Sequence, residues 1–279
     1  MIFFNYNGKL YPEGSPIIGA DNRGLRYGDG LFETIKMKNG KLLFEDEHFA
    51  RLWKGLKVLE FEIPKHFTAE VLQKEISALA HKNGHEAAAR IRLAIIRGDG
   101  GLYDVKNHFP AYIIQTWPLA PGSGEWNSNG LQLGIYEAAQ KSCDILSNLK
   151  HNNYLPYVLA ALTAKKEKWN DVIILNTHGR ICDTTIANIF TVKDGVAYTP
   201  SLQEGCVAGV MRRVVIQNIL NFNGRVVEKD ISIADLLEAE EVFLTNSMYH
   251  IRWVQRIGEK TYQNGTTHKI YSALQPTIS

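Results

Sequence analysis

Three observations predict a two-domain α+β fold. Strand-like apolar runs and amphipathic helical stretches occur mixed together in the first 117 residues, and the same mixture occurs again after residue 130. Between them, residues 118–130, PLAPGSGEWNSNG, are rich in Pro, Gly and Ser and show neither helical nor strand periodicity, as a linker would. At 279 residues and 45% hydrophobic, the chain has enough apolar material for two medium cores. The expected organisation is an N-terminal α+β domain at 1–117, a linker at 118–130 and a C-terminal α+β domain at 131–279.

The first domain opens on IFFNY and KLYP around Asn7-Gly8, followed by a glycine-rich passage, LFETIKM, Asn39-Gly40 and KLLF. Both residues of an Asn-Gly pair tolerate positive φ, so each pair predicts a hairpin. From Asp46, read as an N-cap, the residues Phe49, Leu52, Trp53, Leu56 and Leu59 fall at helical spacing. Thr68 caps a second helix, with Val71, Leu72, Ile76, Leu79 and Ala80 inside and an end near Gly84. Two strands follow, RIRLAIIR and AYIIQTW. In the second domain LQLGIYEA is a strand, Leu155 to Trp169 a helix, and VIILN, IANIFTV and VAYT are strands. Gly209 opens a helix that runs to about Asn221 and stops at Gly224; ADLLEAE is a short helix. EVFLT, Ile251–Arg256 and Lys260–Tyr262 are the last strands.

Composition excludes several classes. Net charge is +2, with 31 basic and 29 acidic residues spread along the chain, so no polyanion-binding surface and no nucleic-acid partner are expected. Cys143, Cys182 and Cys206 are odd in number and widely spaced, which fits neither a disulfide framework nor a zinc site. They read as reduced structural thiols of a cytoplasmic protein, and no metal is expected. The start, MIFFNYNGKLYP, lacks the basic and long apolar regions of a secretory signal. No apolar run approaches the ~18 residues of a membrane span, so no membrane partner is expected.

The residues that carry chemistry are scattered. Lys150, in SNLKHNNYL at 147–155, would by itself be an ordinary solvated lysine. Gly209 stands at a helix start, where unpaired backbone N–H groups and the positive dipole end favour an anion. Asn246 and Ser247 directly follow the strand EVFLT, at a loop position where a hydroxyl and amides can meet a ligand. Arg51 sits on a helix otherwise committed to the core, and a charge there needs an anionic partner. Asp183 ends GRICD, at a strand terminus. Lysine, carboxylate and phosphate cradle are together the parts of a pyridoxal 5'-phosphate site.

At the level of motifs the chain resembles the class IV aminotransferases, the fold-type IV pyridoxal phosphate enzymes. These include branched-chain and D-amino-acid aminotransferases and aminodeoxychorismate lyase. DNRGLRYGDGLFET at 21–34, HFARL at 48–52, LKHNNYL around Lys150, GRICDTTIANIF at 179–190, GVMRR at 209–213 and LTNS at 244–247 follow the family's order. The resemblance implies a D-amino-acid aminotransferase-like fold, with the cofactor between the domains. Carried over, Lys150 matches the lysine that bears the cofactor and Arg51 the phosphate-binding arginine. Val210 and Met211 match the pair whose amides meet the phosphate, Ser247 the phosphate-binding hydroxyl and Val207 the apolar residue on the ring. Tyr154 falls near the place of a tyrosine beside the phenolic oxygen. Asp183 stands where the family has glutamate at the pyridine nitrogen, and is shorter by one methylene, roughly 1.5 Å.

For the substrate, the resemblance implies pocket positions at Tyr27 and Phe32. It also offers two candidate carboxylate-binding arginines, Arg92 as in branched-chain enzymes and Arg97 as in D-amino-acid enzymes. Strand alternation places Arg90 and Arg92 on the face opposite Arg97 unless a bulge intervenes. RGDGGLY and LTNS lean toward the lyase, although Leu102 replaces an arginine of the lyase motif. The expectation is an aminotransferase, with Lys150 and Asp183 catalytic, acting on an amino acid and a 2-oxo acid. The alternatives are a lyase releasing pyruvate and 4-aminobenzoate, and a non-enzymatic member of the fold, encouraged only by Asp183. The resemblance also implies a homodimer.

Overall fold

The computed structural model describes residues 1–104, 106–120 and 122–278; Pro121 of the expected linker and Ser279 of the expected C-terminal domain lie outside the described residues. The chain divides into two compact units, Met1–Ser123 with Leu149–Asn153, and Gly124–Asn148 with Tyr154–Ser279.

The first unit contains, in chain order, β1 (Phe3–Tyr6), β2 (Lys9–Pro12), α1 (Arg23–Tyr27), β3 (Gly30–Lys38), β4 (Lys41–Leu42), α2 (Glu45–Val58), α3 (Ala69–Asn83), β5 (Ala88–Arg97) and β6 (Pro110–Pro118). Among the described residues the strands form a six-stranded antiparallel sheet in the order β2-β1-β6-β5-β3-β4. Both Asn-Gly pairs close hairpins with positive φ at each residue, 49° and 83° at Asn7 and Gly8, 49° and 74° at Asn39 and Gly40. Thr68 Oγ1 caps α3 by accepting from the Val71 amide at 3.3 Å, and Gly84 ends it at φ 70°. Val71 itself, expected inside, lies on the outer side at 36% exposure, because the buried stripe runs through Leu72, Ile76, Leu79 and Ala80. The N-cap of α2 is Phe44 and not Asp46: the helix starts two residues earlier, which puts Glu45, Asp46 and Glu47 together in the first turn against the positive dipole end.

The register along β3, β5 and β6 runs without a bulge, so alternate residues share a face. Leu31, Ile35, Ile91, Leu93 and Ile95 face α2 and α3, where Leu52, Leu56, Leu72, Ile76 and Leu79 complete the core. Phe32, Thr34, Lys36, Arg90 and Arg92 occupy the opposite face. Residues 149–153 were expected in the C-terminal domain but group with this unit because they add to its sheet. The Phe32 amide donates to Lys150 O (2.9 Å), the Asn152 amide donates to Gly30 O (3.0 Å), and Leu31 and His151 form an antiparallel bridge.

The second unit contains β7 (Leu131–Lys141), α4 (Leu155–Lys166), β8 (Asp171–Asn176), β9 (Ile181–Thr184), β10 (Asn188–Lys193), β11 (Val196–Pro200), α5 (Val210–Asn221), β12 (Arg225–Lys229), α6 (Ile233–Glu238), β13 (Glu241–Asn246), β14 (His250–Ile257), β15 (Lys260–Thr261) and α7 (Gly265–Ile278). Among the described residues these strands make a nine-stranded mixed sheet in the order β12-β11-β10-β13-β14-β7-β8-β9, with β15 beside β14. Helices α4 and α5 cross between the parallel pairs β7/β8 and β11/β12, a connection too long for a hairpin. The short segments β12 and α1, and the longer helix α7, were not expected from the sequence. A tertiary contact fixes the last of these: the Glu241 carboxylate caps α7 through the Thr266 and Thr267 amides at 2.7 Å each. Among the described residues no helix is long and apolar enough to cross a membrane.

Candidate active site

In the first unit the site centres on Phe32, which is 6% exposed. The Lys150 ammonium lies 4.5 Å from its ring centroid, and the Arg92 guanidinium carbon lies 4.1 Å from the same ring. A proton-carrying amine and a carboxylate-grade cation therefore share one aromatic side chain. The backbone bonds that join 150–152 to β3 hold the lysine there. Beside Tyr27, Gly28 (φ 66°) abuts this segment so closely that a Cβ would fall 2.3 Å from Asn153 Oδ1. Tyr27 lies under Arg23 and Arg26, whose guanidinium carbons are 5.3 and 5.1 Å from its ring.

Arg51 reaches the site from α2, and its partner is Glu33. Arg51 Nε and Nη2 donate to Glu33 Oε1 and Oε2 at 2.8 and 2.5 Å, and His48 Nδ1 donates to Oε2 at 2.7 Å. Burial alone would raise the Glu33 carboxyl, but the Arg51 charge and the bonds from His48 and Arg51 outweigh it and hold the group at about 2. Burial pulls His48 down, Glu33 opposes this, and the charges of Arg51 and Lys150 lower it further. His48 is thus a neutral imidazole within electrostatic range of both cations, linking Arg51 and Lys150 into one cluster.

The bulge-free register keeps Arg97 on the helix side of the sheet, away from Arg92. Its Nε donates to Asp29 Oδ2 (3.0 Å), Nη1 to Glu60 O (3.3 Å) and Nη2 to Leu59 O, while the guanidinium lies 4.1 Å from the Phe61 ring. This fork closes the end of α2, and the guanidinium is consumed by that task.

In the second unit the centre is Asp183, which is 2% exposed on β9. Its Oδ2 accepts from Lys141 Nζ (2.9 Å), Tyr157 OH (2.9 Å) and the Val207 amide (3.0 Å), and its Oδ1 from Asn188 Nδ2 (2.9 Å). Asn188 Nδ2 also donates to Val207 O (2.8 Å). Gly209 is packed against Asn188: a Cβ there would sit 1.9 Å from Asn188 Oδ1. Glycine is therefore required where α5 begins, and the contact ties the helix start to the carboxylate. Gly209 is the N-cap of α5 with no side-chain cap, and no acidic residue occupies the first turn, so the Val210 and Met211 end is set for an anion. Val210 and Met211 are themselves buried.

Tyr154 stacks on Tyr157, with ring centroids 4.3 Å apart and planes at 19°, and its hydroxyl donates to Thr185 O (3.4 Å). Ser247 lies in the turn after β13, which Asn246 shapes by accepting from the Met248 and Tyr249 amides; β13 runs beside α5. Cys206 is pushed up to about 12 and Cys182 well above its ordinary value, in both cases by burial first and by Asp183 second, so both stay thiols.

Glu33, His48, Lys141, Tyr157 and Asn188 escaped sequence reasoning. Glu33, His48 and Asn188 sat within quoted motifs, at unexamined positions. Lys141 gave no signal, because the strand alternation that would aim it inward is broken just before it.

The sequence profile of the family described as amino-transferase class IV matches residues 30–257. An aminodeoxychorismate lyase of Vibrio harveyi is 34% identical over 238 residues, which are 85% of this chain and 86% of that protein. A D-alanine aminotransferase of Bacillus licheniformis is 27% identical, over 98% of this chain and 96% of that one. In fold, the chain superposes on the branched-chain aminotransferase of Thermoproteus uzoniensis with a TM-score of 0.87 at 24% identity, covering 98% of this chain and 93% of that chain. The residues present fit the family's cofactor. In the second unit Lys141, Tyr157, the Val207 amide and, at 3.9 Å, Cys182 Sγ donate to Asp183 Oδ2 and Asn188 to Oδ1, which leaves an acceptor direction on Oδ1, and the uncapped start of α5 suits a phosphate; in the first unit Lys150 offers an amine. The chain belongs to the class IV aminotransferases and is a pyridoxal phosphate enzyme of the aminotransferase or lyase kind.

Proposed function

We propose that this protein is an aminotransferase moving an amino group between an amino acid and a 2-oxo acid. The observation that carries this reading is the shared contact of Arg92 and Lys150 with Phe32. Arg92 binds the substrate carboxylate, which sets the Cα–H bond beside the Lys150 amine. Lys150 would hold the cofactor between turnovers, and its free amine is the base placed to take the Cα proton. Bound pyridoxal phosphate supplies the electron sink that makes that proton acidic. By the family resemblance, Asp183 would hold the pyridine nitrogen, Val207 the ring and Tyr154 the phenolic oxygen. By the same resemblance, Arg51, Ser247 and the amides of Val210 and Met211 would take the phosphate, and within the first unit Glu33 and His48 orient Arg51.

Because Arg97 is spent on Asp29 and on two carbonyls, Arg92 is the better carboxylate ligand, which favours a branched-chain-like substrate over a D-amino acid. A lyase releasing pyruvate and 4-aminobenzoate is the second reading, supported by the similarity to the Vibrio lyase and by RGDGGLY at 97–103. The deciding experiment measures amino transfer from L- and D-amino acids to 2-oxoglutarate beside 4-aminobenzoate release from aminodeoxychorismate. Transfer from branched-chain L-amino acids without aminobenzoate supports the proposal; aminobenzoate without transfer overturns it.

The active form is a homodimer in this reading. On α4 the apolar residues Leu155, Val158, Leu159 and Leu162 recur at helical spacing yet are 72, 47, 48 and 59% exposed. A second copy of the chain is the partner that would bury them.

A further inference from the structure

Asp183 does not stand alone at the ring-nitrogen position. Lys141, with its side chain 7% exposed, donates to Asp183 Oδ2 at 2.9 Å and lies 5.3 Å from the Tyr157 ring. Its inward aim has a structural cause. The β7/β8 register runs from Tyr136↔Ile174 to Lys141↔Asn176, five residues on β7 against two on β8. The three extra residues form a bulge that re-aims the end of β7 into the interior. An ammonium is thereby placed, at a cost in desolvation, against the one carboxylate the chemistry needs.

We propose that Lys141 is a positioning residue for the cofactor ring: it is the standing counter-charge of Asp183 and clamps Oδ2, so that Oδ1 alone is presented to a ring nitrogen that faces a neutralised ion pair instead of a bare carboxylate. This rests on the reading that Asp183 faces the pyridine nitrogen. The geometry supports it on both counts. Lys141, Tyr157 and the Val207 amide all converge on Oδ2, which fixes the short aspartate in one orientation, and the single bond from Asn188 leaves Oδ1 with an acceptor direction open. The other titratable groups around the ammonium are Tyr157 on α4, Cys182 on β9 and Cys206 before α5. Burial pushes Tyr157 and both thiols up, so all three are neutral and Asp183 is the anion that Lys141 answers. Burial pulls Lys141 down, but the charge of Asp183 and its hydrogen bond raise it on balance, which keeps it an ammonium at neutral pH. The consequence is electronic: a carboxylate already paired with a cation attracts the ring-nitrogen proton less than a bare one does.

The test follows the ring nitrogen directly, by 15N NMR of the holoenzyme carrying ring-15N pyridoxal phosphate, titrated with pH in wild type, Lys141→Arg, Lys141→Gln, Lys141→Met and Asp183→Asn. The neutral Lys141 variants should raise the proton affinity of the ring nitrogen at least tenfold, while Lys141→Arg stays within about threefold of wild type. A merely structural lysine would change stability and cofactor retention but not this midpoint. An unchanged midpoint in the Gln and Met variants, with a shifted one in Asp183→Asn, overturns the role of Lys141; an unchanged midpoint in Asp183→Asn overturns the underlying placement of Asp183. If the neutral variants do not hold cofactor, 15N-lysine-labelled wild type decides. An ammonium signal from Lys141 coupled to a carboxylate carbon, which shifts when pyridoxal phosphate is added, supports the proposal, and a signal indifferent to the cofactor refutes it.

Discussion

Glu33 is the residue whose removal most clearly exposes the energetics of the Lys150 side of the site. It is 1% exposed, and its carboxylate receives two bonds from Arg51 and one from His48. Its carboxyl falls from an ordinary 4.5 to about 2 in the folded protein. At ~1.4 kcal/mol per pH unit that difference corresponds to roughly 3 kcal/mol of stability. The sign follows from the depression: this contribution is complete above pH ~4.5 and is lost as pH falls toward ~2, with roughly 2 kcal/mol gone by pH 3. Glu33→Gln removes the charge and keeps the shape, so it should destabilise by about 3 kcal/mol at pH 7 but by only about 1 kcal/mol at pH 3. Guanidinium unfolding of both proteins at the two pH values measures the gap. If the gap is below ~0.5 kcal/mol at pH 7, or is the same at both pH values, the buried carboxylate does not act as described.

Other expectations follow from single contacts. Arg92→Gln should raise KM for the amino acid roughly 10- to 100-fold through loss of a charge-assisted pair, with a smaller effect on kcat. Arg97→Lys, which cannot span Asp29 and two carbonyls, should lower Tm and leave KM within about threefold; the reverse pattern would exchange their roles. Ser232 and Asp235 form a capping box at the start of α6, so Ser232→Ala should cost about 1 kcal/mol in denaturant melts. Leu159→Glu should halve the mass seen by size-exclusion with light scattering while leaving circular dichroism intact. A wild type that is already monomeric at micromolar concentration removes α4 as the dimer face.

Much of the fold was legible because its signals are local. The Asn-Gly hairpins, the Thr68 cap, the Gly84 stop and the glycine before α5 each act within a few residues. The α2 start was displaced because any of three consecutive acidic residues can serve the first turn, and Phe44 takes the cap conformation instead. The site was legible as motifs but not as a network. Arg51 announced the need for an anion without naming Glu33, which lies 18 residues away on β3. Alternation separated Arg92 from Arg97 correctly because no bulge interrupts β5, and the same rule could not find Lys141 because a bulge precedes it. Likewise 149–153 could not be assigned to a unit from sequence, since its partners Gly30, Leu31 and Phe32 lie more than a hundred residues upstream.

Two lysines are candidates for this chemistry: Lys150 against Phe32 in the first unit, and Lys141 held by Asp183 in the second. Only one of them can carry the cofactor. Borohydride reduction of the yellow holoenzyme, followed by peptide mass spectrometry, identifies it. The predicted result is a reduced pyridoxyl phosphate mass on the peptide containing Lys150 and its disappearance in Lys150→Ala. The same mass on Lys141 or on any other lysine, or a protein that takes up no pyridoxal phosphate, contradicts the assignment of the site.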